Sequence, residues 1–226
     1  MLTGPETETA GQSLDTHVFT STRLVNRPLA ERDLPLYCSL YTDARIMRHI
    51  AAPLSQARAE RAFWTSLKLM AAPAPTLLSW VITDKLTGEP LGIQGFSWAK
   101  ASAHEATAHN KATADKKATA HKADARTNVR QDAARAEIGI MLLRSANGKL
   151  IPEEAMGALM QHGFDRLGLK RIDAQFAKRN LATERFVKKL GFCFDDASEF
   201  KADADTSDSR HCHMLAEHWF KREKVT

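Results

Sequence analysis

The chain has 226 residues, of which 43% are apolar and 7% aromatic, and this length is ample for the core of one large domain or two small ones. No run of about 18 apolar residues offers a membrane span, and the polar, acidic N-terminus lacks the features of a signal peptide, so no membrane association and a cytoplasmic location are expected. The net charge of +5 is concentrated in residues 100–135, which carry eight Lys and Arg against four Asp and Glu, and nucleic-acid binding therefore loses its main support.

The first part of the chain predicts one strand and two helices. Residues 22–27 alternate between polar and apolar side chains as a half-buried strand does, and a proline ends them. Asp33, followed by a proline in the first turn, is typical of a helix start. Ser55 is a candidate cap for a second helix with apolar residues at helical spacing. The stretch between these helices is predicted to be irregular.

Two strands and an unusual insert come next. Residues 79–83 and 91–98 are predicted strands joined by a turn that contains glycine. The insert at 100–135 repeats a hexapeptide, which reads ATAHNK, ATADKK and ATAHKA. A period of six matches neither helix nor strand, so no buried face can form from it. We expect a disordered tail at 1–16 and one domain at 17–226 that this low-complexity insert interrupts.

Residues 136–192 carry the strongest pattern of elements. A strand AEIGIML, a glycine-bearing loop, an amphipathic helix and a strand RIDAQF follow one another, and Asn180 and the ending KKLGF come after them. The loop lies where a strand meets a helix, and there backbone N–H groups and the helix dipole can hold a phosphate. The pattern therefore predicts a cofactor site between strand and helix.

This order of elements resembles the GNAT acetyltransferase superfamily, and within it the RimJ and RimL type of ribosomal-protein N-terminal acetyltransferase. The resemblance extends over nearly the whole chain. Residues 20–50 are similar to the family's first strand and helix, residues 81–98 to its second and third strands, and the segment DSRHCHMLAEHW to its last strand. It implies an α/β (α+β) fold, with a mixed, mostly antiparallel sheet flanked by helices and the insert between the third and fourth strands. It also implies acetyl-CoA as co-substrate and an amine as acceptor, in a monomer or homodimer.

In the resembled family the amides of the loop hold the pyrophosphate of acetyl-CoA. The matching positions here are Asn147, Gly148, Lys149, Leu150, Ile151 and Pro152. Asn147, Leu150 and Pro152 stand where the family has Gln or Arg, Gly, and Gly or Ala. Pro152 removes an N–H group, and Leu150 places a side chain where close approach usually calls for glycine. Glu153 favours the helix start but repels a pyrophosphate.

The resemblance also implies roles for residues outside the loop. Glu137 matches the position that can act as the base, although a carboxylate paired with a nearby arginine is an equal alternative. Backbone groups around Met141 and Leu142 would meet the pantetheine arm. Asn180 matches the asparagine that contacts CoA, and it also suits a helix cap. Thr183 keeps the hydroxyl that the branch often places near the thioester sulfur.

No metal site is expected from the histidines and cysteines. Three cysteines without a Cys-x-x-Cys pair favour reduced thiols. Alternation along a strand puts His211 and His213 on one face and Cys212 on the other, and His213 is a candidate to face the acceptor groove. Three functions remain open. The first is an N-acetyltransferase acting on a protein N-terminus or a small amine, the second is a catalytically silent GNAT-fold binding protein whose CoA loop has drifted, and the third is a binder of nucleic acid or an anionic surface through the basic insert.

Overall fold

The computed structural model describes residues 17–98, 134–146, 150–195 and 208–223. Its centre is a single eight-stranded sheet in the order β1-β2-β3-β4-β5-β6-β8-β7. The strands are β1 (Phe19–Thr20), β2 (Leu24–Pro28), β3 (Leu77–Asp84), β4 (Pro90–Ser97), β5 (Arg135–Leu142), β6 (Arg171–Ala177), β7 (Cys193–Phe194) and β8 (Ser209–Leu215). The helices are α1 (Leu34–Thr42), α2 (Ala44–Met47), α3 (Gln56–Met70), α4 (Ile151–Asp165), α5 (Leu181–Leu190) and α6 (Ala216–Glu223).

Among the described strand pairs only β5 and β6 are parallel, and α4 forms the crossover that this pair requires. All other neighbours pair antiparallel. The fold class expected from the sequence, a mixed and mostly antiparallel sheet flanked by helices, is therefore confirmed.

The two faces of the sheet are covered differently. From β3 to β8, even-numbered residues face a large apolar cluster that includes Trp80, Phe96 and Ile172 and that α4, α5 and α6 complete. Odd-numbered residues face the other side, where α1 and α3 pack on Val81 and Ile93. Alternation along each strand produces this division. On β6 and β8 this odd-numbered face carries mostly polar side chains.

Three boundaries differ from the expectations. Residues 44–47 form the short helix α2, because the Asp43 carboxylate accepts hydrogen bonds from the amides of Arg45 (2.7 Å) and Ile46 (3.2 Å). The segment similar to the last strand ends at Leu215, and the residues after it are the helix α6. Arg135 already belongs to β5, whereas the expected tail and insert at 1–16 and 100–133 lie outside the described residues.

The longest described helices, α3 and α4, have 15 residues each. Within the described ranges, none combines the length with the apolar character that crossing a bilayer requires.

Candidate active site

Strands β5 and β6 lie side by side but separate along their length. Their pairing ends at Glu137 and Asp173. Beyond that point β5 stays paired with β4 as far as Leu142, and β6 stays paired with β8 as far as Ala177. The two strands therefore diverge, and we call the opening between them, beyond Glu137 and Asp173, the wedge.

The backbone of β5 offers hydrogen-bonding groups to the wedge. The Leu143 N–H donates to the Leu91 carbonyl at 2.8 Å. This bond identifies the residues of β5 whose backbone groups bond to β4. By alternation, Met141 directs its backbone groups towards β4, whereas Leu142 and Ile140 direct theirs towards the wedge. Of the two residues predicted to meet an extended ligand arm, Leu142 thus directs its backbone groups towards the wedge and Met141 does not. Ile140, which was not predicted, has the same orientation as Leu142.

Helix α4 begins at the mouth of the wedge without a side-chain cap. Leu150, the cap residue, has a left-handed backbone (φ 58°, ψ 17°) and a side chain that is 56% exposed. The Ile151 side chain is buried, Pro152 has no N–H, and the Glu154 N–H donates to the Leu150 carbonyl. The amides of Ile151 and Glu153 remain to bind a ligand at this end.

The predicted loop residues Asn147, Gly148 and Lys149 lie outside the described residues. Of the six loop positions predicted to hold the cofactor, the structure therefore locates Leu150, Ile151 and Pro152.

Both acidic side chains in the first turn of α4 have basic partners. Glu153 lies 3.3 Å from the Lys189 ammonium at the end of α5. Glu154 accepts hydrogen bonds of 2.6 Å from the Ser21 hydroxyl, the Arg23 amide and the Arg23 guanidinium. Burial acts to raise the pKa of Glu154, but these hydrogen bonds outweigh it and the pKa is lowered. The negative charges of Glu153 and Glu154 are therefore partly offset by Lys189 and Arg23.

Helix α5 begins on the other side of the wedge with a conventional cap. The Asn180 Oδ1 accepts a hydrogen bond of 3.2 Å from the Thr183 N–H. The Asn180 Nδ2 and the Thr183 hydroxyl have no hydrogen-bond partner among the described residues, and both residues are partly exposed. Asn180 is thus a helix cap that also keeps a free donor near the wedge.

Glu137 stands at the closed end of the wedge, on the odd-numbered face. Its side chain has neither an ion pair nor a hydrogen bond within the described part of the chain, and it is exposed. The surrounding protein displaces water and the charge of Asp173 opposes ionisation, so the pKa of Glu137 is raised. The Glu137 carboxylate is therefore accessible from the groove, although the protein around it reduces its contact with water. A Cβ added at Gly139 would contact nothing within 4 Å, so the space beside Glu137 is open.

A row of polar side chains continues from Glu137 across the sheet. Asp173, opposite Glu137, is bound by the guanidinium groups of Arg135 (2.5 Å) and Arg171 (2.8 Å). His213 lies opposite Asp173 on β8, and its Nδ1 contacts the carboxylate of Asp195. Arg135 and Arg171 thus bind Asp173, and among the described residues no arginine pairs with Glu137 as the structural alternative expected.

The structure therefore brings Glu137, the wedge-facing backbone of β5 and the starts of α4 and α5 to one cleft. Sequence reasoning missed the contributions of Asp173 and Asp195. The only signal for Asp173 was its alternation with other polar residues in RIDAQF, and Asp195 lay in no recognisable pattern.

Comparisons with known proteins are consistent with this geometry. A family model described as acetyltransferase (GNAT) domain matches residues 23–193. A GNAT-family acetyltransferase from Bacillus anthracis is 16% identical, with a TM-score of 0.62 over 88% of this chain and 99% of that one. A spermidine N-acetyltransferase from Vibrio cholerae, solved in complex with CoA and spermine, is 15% identical, with a TM-score of 0.63 over 88% and 99%. No curated protein sequence gives a significant match.

Proposed function

The chain belongs to the GNAT acetyltransferase family, whose members are acyltransferases with acetyl-CoA as co-substrate, and we propose that it transfers the acetyl group to a primary amine by direct attack in a ternary complex. The silent binding protein is not retained, because the family is one of enzymes. The observation that carries the proposal is the wedge, with an unpaired strand edge and two helix N-termini at one opening.

The wedge suits an extended, anionic ligand for two physical reasons. The wedge-facing edge of β5 can pair with an amide-bearing arm as it would with another strand. The N-termini of α4 and α5 carry partial positive charge and unpaired N–H groups, which favour phosphate. Leu142, Ile140 and Asn180 are therefore the groups that we propose to hold the arm of acetyl-CoA.

The start of α4 fits the pyrophosphate, but with fewer contacts than a glycine-rich loop supplies. Ile151 and Glu153 offer amides, whereas Pro152 offers none. Repulsion by Glu153 and Glu154 is reduced because both carboxylates have basic partners. We therefore expect acetyl-CoA to bind here with an affinity that the loop limits.

The chemistry requires a base for the amine and an acid for the departing thiolate. Glu137 takes a proton from the amine nitrogen as that nitrogen bonds to the acyl carbon. The raised pKa of Glu137 brings it closer to neutral pH, which suits a general base. Thr183 donates its hydroxyl proton to the thiolate as the carbon–sulfur bond breaks, and it regains a proton from protonated Glu137 through solvent, so both residues return to their starting states. Acetyl-CoA supplies the activated acyl group.

The acceptor follows less directly from the geometry. We propose that the chain belongs to the RimJ and RimL type, because Glu154, Asn180 and Thr183 occupy positions similar to that branch. That assignment favours a protein N-terminus. A small polyamine is the second candidate, because a similar structure is that of a spermidine N-acetyltransferase.

Two measurements test this function. Calorimetric titration with acetyl-CoA should give saturable binding, and absence of binding at millimolar concentration would exclude the cleft as a CoA site. A screen with radiolabelled acetyl-CoA, using spermidine, amino sugars and peptides with different N-terminal residues, should then reveal the acceptor. Label transferred to none of these would contradict the proposed acceptor class.

Glu137→Gln tests the base. We expect kcat/KM to fall on the order of 10²-fold or more, because the replacement cannot accept a proton, while the affinity for acetyl-CoA stays unchanged. Glu89→Gln removes the same charge from the exposed turn between β3 and β4 and is the matched control. Equal rates for the two variants would remove Glu137 from the mechanism.

A further inference from the structure

His213 is held in place by a carboxylate that is buried at considerable cost. The Asp195 side chain is only 2% exposed. Its Oδ1 contacts the His213 Nδ1 and lies 3.4 Å from the Arg171 guanidinium, whereas its Oδ2 is buried with no hydrogen-bond partner in the described part of the chain. Burying a carboxylate with one unpaired oxygen costs free energy, which the contacts of Oδ1 with His213 and Arg171 offset only in part.

The contact with Asp195 fixes the chemistry of the imidazole. A carboxylate can only accept a hydrogen bond, so the proton of His213 resides on Nδ1 and Nε2 carries the lone pair. Nε2 has no hydrogen-bond partner among the described residues, and the side chain keeps 18% of its surface exposed. A ring oriented by a carboxylate on one nitrogen and open at the other is the arrangement of a general base.

His213 shares the odd-numbered face with Glu137. The two residues and Asp173 stand in register on β8, β5 and β6, so Glu137 and His213 are about 10 Å apart between Cα atoms. Within the described part of the chain, helices α1 and α3 cover this face over β3, β4 and the end of β5. The row therefore lies beside the part of the cleft where an acceptor amine would approach Glu137.

We propose that His213, oriented by Asp195, is a second proton acceptor in this cleft, and the proposal rests on the acetyltransferase function above. An amine acceptor reaches the enzyme as an ammonium ion, which loses two protons when its nitrogen becomes an amide. One proton leaves on the thiol of CoA. His213 accepts the other at Nε2 from the ammonium ion before attack and then releases it to solvent.

Several charged or titratable groups surround His213 and shape its response to pH. They come from β6, from β7 and the residue after it, and from β8 itself: Arg171, Asp173, Cys193, Asp195 and His211. The carboxylate of Asp173 is already bound by two arginines, which leaves Asp195 as the main partner of His213.

The first test uses the full chain with acetyl-CoA and spermidine. His213→Gln should lower kcat/KM at least tenfold at pH 7 and change the shape of the kcat/KM profile below neutral pH, because glutamine cannot accept a proton, while calorimetric affinity for acetyl-CoA is unchanged. Asp195→Asn keeps the imidazole but removes the carboxylate that orients it, so it should lower kcat/KM and alter the same part of the profile. An unchanged profile in both variants would overturn the proposal.

The second test needs no turnover and therefore separates this proposal from the proposed function. Cys193 is exposed and lies directly opposite His213, whereas Cys38 and Cys212 are buried. A protonated imidazole favours the neighbouring thiolate. Alkylation of Cys193 by iodoacetamide should thus depend on pH differently in the wild type and in His213→Gln, and Cys193→Ser should abolish the labelling. Identical alkylation profiles with and without His213 would overturn the proposal even if spermidine is not an acceptor. Absence of acetyl-CoA binding would instead contradict the proposed function.

Discussion

The two helices that begin at the wedge are built in different ways. Helix α5 starts with an Asn180 side-chain cap and ends at Gly191, which has φ 80° and whose N–H donates to the Lys188 and Val187 carbonyls. Helix α4 starts at Leu150, a left-handed residue without a side-chain cap. Both helices follow a strand that borders the same opening, but only α5 has conventional signals at both ends.

Burial explains the difference. Only Val187 and Leu190 are buried in α5, so its stability depends largely on local interactions. Eight residues of α4 are buried, so packing against the sheet holds this helix whatever its first residue is. The loop before α4 can therefore change with little effect on the fold, and the consequence of such changes falls on ligand binding.

Lowering the pH should destabilise the packing of α4 on the sheet, because His162 of this helix is buried. Burial lowers the pKa of His162 from 6.5 to about 4. Its contribution to stability is fully present above pH 6.5 and is lost as the pH falls towards 4, because the unfolded chain binds the proton first. We expect the free energy of unfolding to drop by about 2 kcal/mol between pH 7.5 and pH 5.

Denaturant titration at these two pH values measures the effect. His162→Gln should remove most of the acid-dependent loss. The control His218→Gln, which replaces an exposed histidine of α6, should retain it. An equal loss in all three proteins would show that α4 does not depend on a neutral, buried His162.

Glu154→Gln tests whether long-range contacts replace a cap at the start of α4. The change removes the charge that accepts from the Ser21 hydroxyl and from two nitrogens of Arg23. We expect a loss of about 1 to 2 kcal/mol in the free energy of unfolding, because hydrogen bonds to a charged group are strong. The matched change Glu184→Gln on α5 affects only two cationic side chains, Lys188 and Arg210, and no hydroxyl or backbone amide, so it should cost less. The reverse order would contradict the comparison.

Asn180→Ala separates the two roles of the α5 cap. Loss of the bond to the Thr183 N–H should cost about 1 kcal/mol in stability. Loss of the free amide donor should also weaken acetyl-CoA binding severalfold. Asn180→Ser keeps a capping oxygen, so it should restore the stability without restoring the affinity. If serine restores both, the amide does not contact the ligand.

The sequence predicted the framework well where periodicity is long. Strands AEIGIML and RIDAQF and the helices after them were expected at their observed places, because alternation and helical spacing persist over whole elements. Helix α2 is a single turn and too short to show a period. Helix α6 follows β8 directly at Ala216, without the glycine or proline that usually marks such a boundary.

The site was harder to predict than the fold. The roles of Glu137, Asn180 and Thr183 stay predictions from the family resemblance, which could name these residues because they lie at fixed positions relative to elements that the sequence defines. The pairing of His213 with Asp195 and the contacts of Asp173 depend on the register of three strands. Register is set by packing of the complete sheet, which one sequence does not encode locally.

Leu150→Gly gives the smallest expected effect on stability and the most direct test of the loop. A non-glycine residue at φ 58° is strained, but glycine also increases the entropy of the unfolded chain, so we expect a gain of only about 0.5 kcal/mol. Leu86→Gly, in the exposed turn between β3 and β4, carries the same entropic penalty without relief of strain and should be destabilising.

Leu150→Gly should also bind acetyl-CoA a few-fold more tightly than the wild type. Removing a side chain that is 56% exposed at the mouth of the wedge lets a phosphate approach the amides of Ile151 and Glu153. Calorimetry on Leu150→Gly and Leu86→Gly measures this directly. If neither binds more tightly, the start of α4 does not limit the affinity. The pyrophosphate must then be held mainly from the α5 side, where Asn180 retains its donor.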